Sequence, residues 1–505
     1  MEAQQLPYRG APFPSKWRRN HPRSKNGCLT CRSKQCTWPI PDKSQAEEHL
    51  RSEIDGVLKV NDANQRLINT VTTLSAGLMV SQGATNAPFA IRVAPTYGNL
   101  AYLSDSSRPL YQQYLDCTAE TLTRGPSEDG NPFMNYLLPL AASNELVLDC
   151  VLAIGGAHLT VNNPTDRGLE VATRGHYAKI LAGLQRLLAY ETGGLGPGMI
   201  DESTSTRWSS QILLILQLLC VYDHIQGNTR GAIYLHLKAS REYITTLTSL
   251  SRTYDELEYL RGFLLEMYTY HSMTLALSPR NTLYDHKVDI DPSVHSLDIL
   301  APYKSRGYLL GFGQSLFEMV PEIHQLVEAR REEEKLGVEV SLAMRRQYER
   351  LVTRLEVFDP YAENLEGLRP RQERAGATMI YQNALIVYLH SAFHEDMLAD
   401  PDLASELDAR IEKMMPTFFS LFVGDSPYRR MLLWPGVIMA SCSRRREHVE
   451  GFRAGLLGRA TKTPGAVKTG ARLVVLLWQD PDPRAFGPRG LSYVMTKHDI
   501  SFGLC

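Results

Sequence analysis

Cysteine is scarce in this chain, and neither sign of charge dominates. Eight cysteines in 505 residues cannot make the disulfide framework of a small secreted domain, so a reducing compartment, cytosol or nucleus, is expected. Acids and bases nearly cancel, 55 against 54, and the molecule as a whole has no bias toward a polyanion. Long apolar runs are missing too. The longest, Ile212 to Tyr222, is interrupted by Gln217 and is too short to span a bilayer. The N-terminus has no apolar signal-peptide core. Regular strand alternation and clean repeats are absent. The common catalytic motifs are absent as well. Gly311-Phe-Gly313 lacks the third glycine and a preceding strand of a dinucleotide site, and Gly193 to Gly198 has no Lys-Ser/Thr after it. There is no His-Glu-x-x-His and no Gly-x-Ser-x-Gly. His394-Glu395-Asp396 has no partner histidine at ligand spacing. No enzyme is expected.

What is present is unevenly placed. Hydrophobic residues make up 43% of the chain, enough for a large core in one or two domains. Through residue 43 the bases Arg9, Lys16, Arg18, Arg19, Arg23, Lys25, Arg32, Lys34 and Lys43 face only Glu2 and Asp42. A basic arm on a neutral body implies a polyanion partner or an import signal, or else a solvated tail. Residues 1–27 are rich in proline and bases and are expected to be disordered. From Ser44 to Leu78, residues Leu50, Ile54, Val57, Asn61, Asn64, Ile68, Val71, Ser75 and Leu78 recur in steps of four and three. Such a seam joins two copies as a coiled coil with asparagines fixing register, or forms one amphipathic helix on the body. A Gly/Pro linker follows, 81–109. The remainder, 110–505, reads as helical. Ala172, His176, Ile180, Leu184, Leu187 and Leu188 share one face. Ile212 to Tyr222 is apolar nearly all round and predicts a buried helix. Tyr348, Leu351, Val352 and Leu355 keep the spacing, as do Ala377, Ile380, Tyr381, Ala384 and Tyr388. The fold class is mostly α. The charged run Glu328 to Lys335 predicts a solvated helical face, and lone histidines among apolar residues (His158, His236, His390) predict hydrogen-bonded core residues rather than ligands.

The densest chemistry lies in Arg23-Ser-Lys25-Asn-Gly-Cys28-Leu-Thr-Cys31-Arg32-Ser-Lys34-Gln-Cys36-Thr-Trp-Pro39. It resembles the start of the fungal binuclear zinc cluster, a DNA-reading module. That resemblance implies zinc held by Cys28, Cys31 and Cys36, with Arg32 and Lys34 on DNA and Arg23 and Lys25 on phosphates. The implied target is double-stranded DNA at CGG-like half-sites, and the implied location is the nucleus. The segment departs from the family pattern. Cys36 follows Cys31 after four residues rather than six, and the next cysteine is Cys117. One short internal stretch carrying three more cysteines is missing relative to the family. Three thiolates do not fill one tetrahedral zinc site, let alone two; His21 or His49 are the nearest candidates for a fourth ligand.

Behind the cluster, five ordered pieces resemble the fungal-specific transcription factor domain, an all-helical regulatory region. They are Ala153-Ile-Gly-Gly-Ala-His158 ahead of the helix with His176-Tyr177, Leu213 to Tyr222, Tyr234-Leu-His236-Leu-Lys-Ala239-Ser240-Arg241 (with the family's Gly-Ala pair replaced), Tyr381-Gln-Asn-Ala384-Leu-Ile-Val-Tyr388-Leu-His390, and Trp434-Pro435-Gly-Val-Ile-Met-Ala440. The resemblance implies a nuclear, sequence-specific regulator of RNA polymerase II transcription that meets the transcription machinery, possesses two zinc ions when the cluster is intact, and is controlled by its helical body. The truncated cluster leaves open a second reading, a DNA-binding-defective form acting only through that body.

Overall fold

A computed structural model describes residues 103–505 apart from 124–129, 194–201, 250–257, 285, 291–296, 301–302, 304–308, 311–312, 362–370, 425 and 458–462. The expected tail, cysteine segment and 44–80 helix lie outside these residues, as does the 81–109 linker up to Tyr102. The last linker residues are structured, because Arg108–Gln113 already forms a helix with Pro109 in its first turn, where a missing N–H costs nothing.

Thirteen helices of nine residues or more organise the described chain. They are α1 Glu145–Asn162, α2 Arg167–Gly193, α3 Glu202–Gln226, α4 Ala232–Ser249, α5 Glu258–Ala276, α6 Val320–Lys335, α7 Leu342–Glu356, α8 Arg371–Phe393, α9 Pro401–Val423, α10 Leu433–Ser441, α11 Arg446–Leu457, α12 Gly465–Gln479 and α13 Gly487–Lys497. Among the described residues there is no strand pairing beyond one isolated bridge, Arg230 with Ser501. The mostly-α expectation holds. Local chemistry sets the boundaries. The Asn144 side chain accepts from the N–H groups of Leu146 and Val147 and starts α1. Asp400 does the same for α9, with Pro401 behind it. Gly337, at φ 66°, ends α6 in a conformation that glycine adopts without strain.

Helix α1 packs against both α2 and α3, α3 against α4 and α5, and α8 against α9 and α10; α10, α12 and α13 close the far side. The predicted faces are where they were expected. Ile180, Leu184 and Leu188 of α2 are buried, and Ile212 to Tyr222 is buried throughout. Two stretches, Glu145–Asn162 and Trp208–Gln226, are long and apolar enough to cross a membrane, but most of each is buried inside the body. The Gly155-Gly156 pair explains how tightly α1 is gripped. A Cβ on Gly155 would lie 2.2 Å from the Leu110 carbonyl oxygen, and one on Gly156 would lie 2.3 Å from Oγ1 of Thr173 on α2. On the other side, Trp434 donates its indole N–H to the Leu277 carbonyl at 3.0 Å and stacks on Tyr381. The C-terminal residues join this core. Phe502, Leu504 and Cys505 are buried, and the Leu504 N–H donates to Ser278 Oγ at 2.9 Å.

The charged run of α6 departs from expectation. Glu328 and Arg330 have side chains only 13% exposed. Glu328 accepts from Arg280, which follows α5, and from Arg331 at 2.6 Å. Glu334 accepts from Arg489 of α13, whose guanidinium also donates to the Ala392 carbonyl at 2.7 Å. Glu328 and Glu334 cross-link to other elements, which the composition of a single helix does not reveal, while Ala329, Glu332 and Lys335 stay exposed as expected.

Candidate functional site

Cys28, Cys31, Cys36, Arg23, Lys25, Arg32 and Lys34 lie outside the described residues. The site the structure does present is a buried polar centre inside the apolar body, built on α3. Gln217, Cys220, Asp223 and His224 fall at helical spacing on that helix, within or just beyond the stretch that reads as uniformly apolar. The Gln217 amide donates to Ser240 Oγ of α4 at 2.9 Å, and its oxygen lies 2.8 Å from His271 Nδ1 of α5. Ser240 in turn donates to the His236 carbonyl at 2.8 Å. One amide therefore ties three helices in a low-dielectric interior, where a satisfied bond is strong and an unsatisfied one costly.

Asp223 and His236 face each other across α3 and α4, with Oδ2 to Nε2 at 3.4 Å. Asn228 donates to the other carboxylate oxygen at 2.8 Å. Burial pushes the Asp223 carboxyl up to about 7, against the opposing pull of Asn228. Burial pushes the His236 imidazole down to about 4. Both directions favour the uncharged forms, as expected where solvent cannot reach. His224 Nδ1 lies 3.4 Å from Cys505 Sγ. A small cavity opens beside this centre, lined by Leu122, Phe133, Val221, His224, Tyr270 and His271 among others.

The hydrogen bonds of this centre join α3, α4 and α5. Burial holds the Cys220 thiol well above its usual range and pushes Cys442 up to about 12, so these thiols stay protonated and unreactive. Among the described residues no group of three or more His, Cys, Asp or Glu side chains could hold a metal. The three histidines read as core residues are buried. His158 Nδ1 lies 3.0 Å from Thr118 Oγ1, and His390 Nδ1 lies 2.7 Å from the Tyr348 hydroxyl. The sequence reading missed Asp223, His271 and Cys505. Only Gln217 left a trace, as the polar interruption of an apolar run.

Residues 109–486 match the family model of the fungal specific transcription factor domain. No curated protein and no solved structure matches the chain.

Proposed function

The chain belongs to the fungal-specific transcription factor domain family, and from that premise we propose that it is a nuclear regulator of RNA polymerase II transcription. The observation that carries this reading is the order of parts: a basic Cys-x-x-Cys segment, Cys28 to Cys36, ahead of a family match that spans most of the chain. In a form with a complete cluster, the Cys28 segment binds DNA, with Arg32 and Lys34 at base edges of a CGG-like half-site and Arg23 and Lys25 on phosphates. The 44–78 seam joins two copies and sets half-site spacing. The helical body supplies the surface met by the transcription machinery.

The donor set tests the metal. Cys28, Cys31 and Cys36 are the only cysteines before Cys117, and two zinc ions sharing bridging thiolates need six. Those residues do not fit a binuclear cluster. That observation favours the second reading for this chain: it acts through its body alone, as an interaction partner or dominant-negative regulator.

Zinc content per chain, measured beside binding to a CGG-containing duplex and a scrambled duplex across a salt series, separates the two readings. The second predicts near-zero zinc and no preference for the CGG duplex. About two zinc ions per chain, with CGG binding that weakens steeply as salt rises, would establish the first. One zinc per chain would point to an improvised site using His21 or His49.

A further inference from the structure

Away from the buried centre, one cluster has the chemistry of a nucleophile. Ser107 Oγ lies 2.9 Å from His176 Nε2, and His176 Nδ1 lies 2.6 Å from Asp149 Oδ1. The three residues come from separate elements: the segment before Arg108–Gln113, α2 and α1. An ionised Asp149 only accepts hydrogen bonds, so Nδ1 carries the ring proton. A ring with its one proton on Nδ1 presents the Nε2 lone pair to the Ser107 hydroxyl, whose oxygen also lies 2.8 Å from Ser104 Oγ. Lys179 Nζ lies 3.9 Å from the same carboxylate oxygen of Asp149. Ser107 is 5% exposed, while Ser104, Asp105 and Ser106 beside it are exposed, so solvent begins one residue away. A serine, a histidine and an acid in this order of contacts are recognised by geometry rather than by chain position.

We propose that Ser107 is an activated hydroxyl nucleophile that takes an acyl group from an activated ester or thioester. His176 acts as the base, and Asp149 is a positioning residue that fixes its tautomer. In the step, Oγ bonds to the acyl carbon while the bond from that carbon to the leaving oxygen or sulfur breaks. The Oγ proton passes to Nε2 and from there to the leaving group, releasing an alcohol or thiol and leaving acyl-Ser107. The backbone N–H groups of Ser107 and Arg108 both donate to the Ser104 carbonyl, at 2.9 and 3.1 Å. Both are already engaged, so these two groups do not stabilise an oxyanion and the acyl transfer is slow. The same contacts also hold residues 103–113 on α1 and α2, and a clamp of that kind needs no reactivity.

The experiment treats the full chain with a fluorophosphonate probe and with p-nitrophenyl acetate, then reads intact mass and maps the modified peptide. One adduct at Ser107 is expected, abolished in Ser107→Ala, kept in Ser106→Ala and slowed roughly 100-fold or more in His176→Gln. No adduct, an adduct at Ser104 or Ser106, or a Ser107 adduct indifferent to His176→Gln would overturn the proposal and leave a packing clamp. Should His176→Gln fail to fold, Ser107→Cys decides. Paired with His176, its thiol is alkylated by iodoacetamide faster than that of Ser106→Cys, whereas a merely buried thiol is alkylated more slowly.

Discussion

Gly155 shows how much one hydrogen atom in place of a methyl group decides here. Its missing Cβ is occupied by the Leu110 carbonyl oxygen, 2.2 Å from where a methyl would sit, and backbone cannot step aside as a flexible side chain can. Gly155→Ala is therefore expected to destabilise the body by about 1–3 kcal/mol despite alanine's better helix propensity. A fall in the thermal midpoint checks this, and an unchanged or raised midpoint would refute the close approach. The Asp223–His236 pair gives a second prediction, in pH. A carboxyl raised to about 7 in the fold binds a proton that the unfolded chain has lost, so between about pH 4 and 7 its contribution falls as pH rises. An imidazole lowered to about 4 is neutral where the unfolded chain is protonated, so between about pH 4 and 6.5 its contribution falls as pH falls. The two slopes oppose each other and nearly cancel in the native protein. Asp223→Asn exposes the histidine slope and His236→Gln the aspartate slope, each about 1.4 kcal/mol per pH unit at most and of opposite sign. Urea titrations of the three proteins at pH 4.5, 5.5 and 6.5 measure this; parallel curves would mean that the pair is not coupled to folding.

Helices were legible because burial leaves a period in the sequence. The faces of α2, α7 and α8 and the apolar length of α3 could be read directly, since a helix that buries one stripe must repeat apolar residues every three or four positions. Interactions between helices leave no such trace. Ser107 and His176 are 69 positions apart, and Gln217 and His271 are 54 apart; nothing in either neighbourhood announces the other. Part of the charged run of α6, Glu328 and Glu334, was misread for the same reason. Alone, it is a solvated face; with Arg280 and Arg489 supplied by other elements, it is a cross-link. Burial would raise the Glu328 carboxyl, but Arg331 and Arg280 outweigh it and hold it down to about 2. Its stabilisation is accordingly present above the ordinary carboxylate range and lost as pH falls through about 2. Glu328→Ala leaves two guanidinium groups facing one another and is expected to cost roughly 3 kcal/mol, whereas the exposed Lys335→Ala should change stability by less than about 0.5 kcal/mol. Equal effects in denaturant titrations would show the cross-link to be ornamental.

At the scale of the molecule, the early and late parts of the described chain are interlocked. Arg430 donates to the Thr123 carbonyl at 3.1 Å, Lys468 donates to the Val161 carbonyl at 2.8 Å, and Trp434 reaches Leu277. A fragment ending at residue 361 would strip α6 of α8, α3 of α12 and Leu277 of Trp434. Such a fragment, residues 103–361, is expected to lack a cooperative thermal transition and near-UV circular dichroism. A sharp transition in it would show that the body is two folding units rather than one.

The buried C-terminal residues bear on how the protein is made. Phe502, Leu504 and Cys505 leave the ribosome after every helix they pack against. At ordinary elongation rates of about 5–20 residues per second, α1 emerges roughly 20–70 s before them. Through that interval α3 can already pack on α1, α2, α4 and α5, while His224, Leu275 and Ser278 wait for the last residues to cover them.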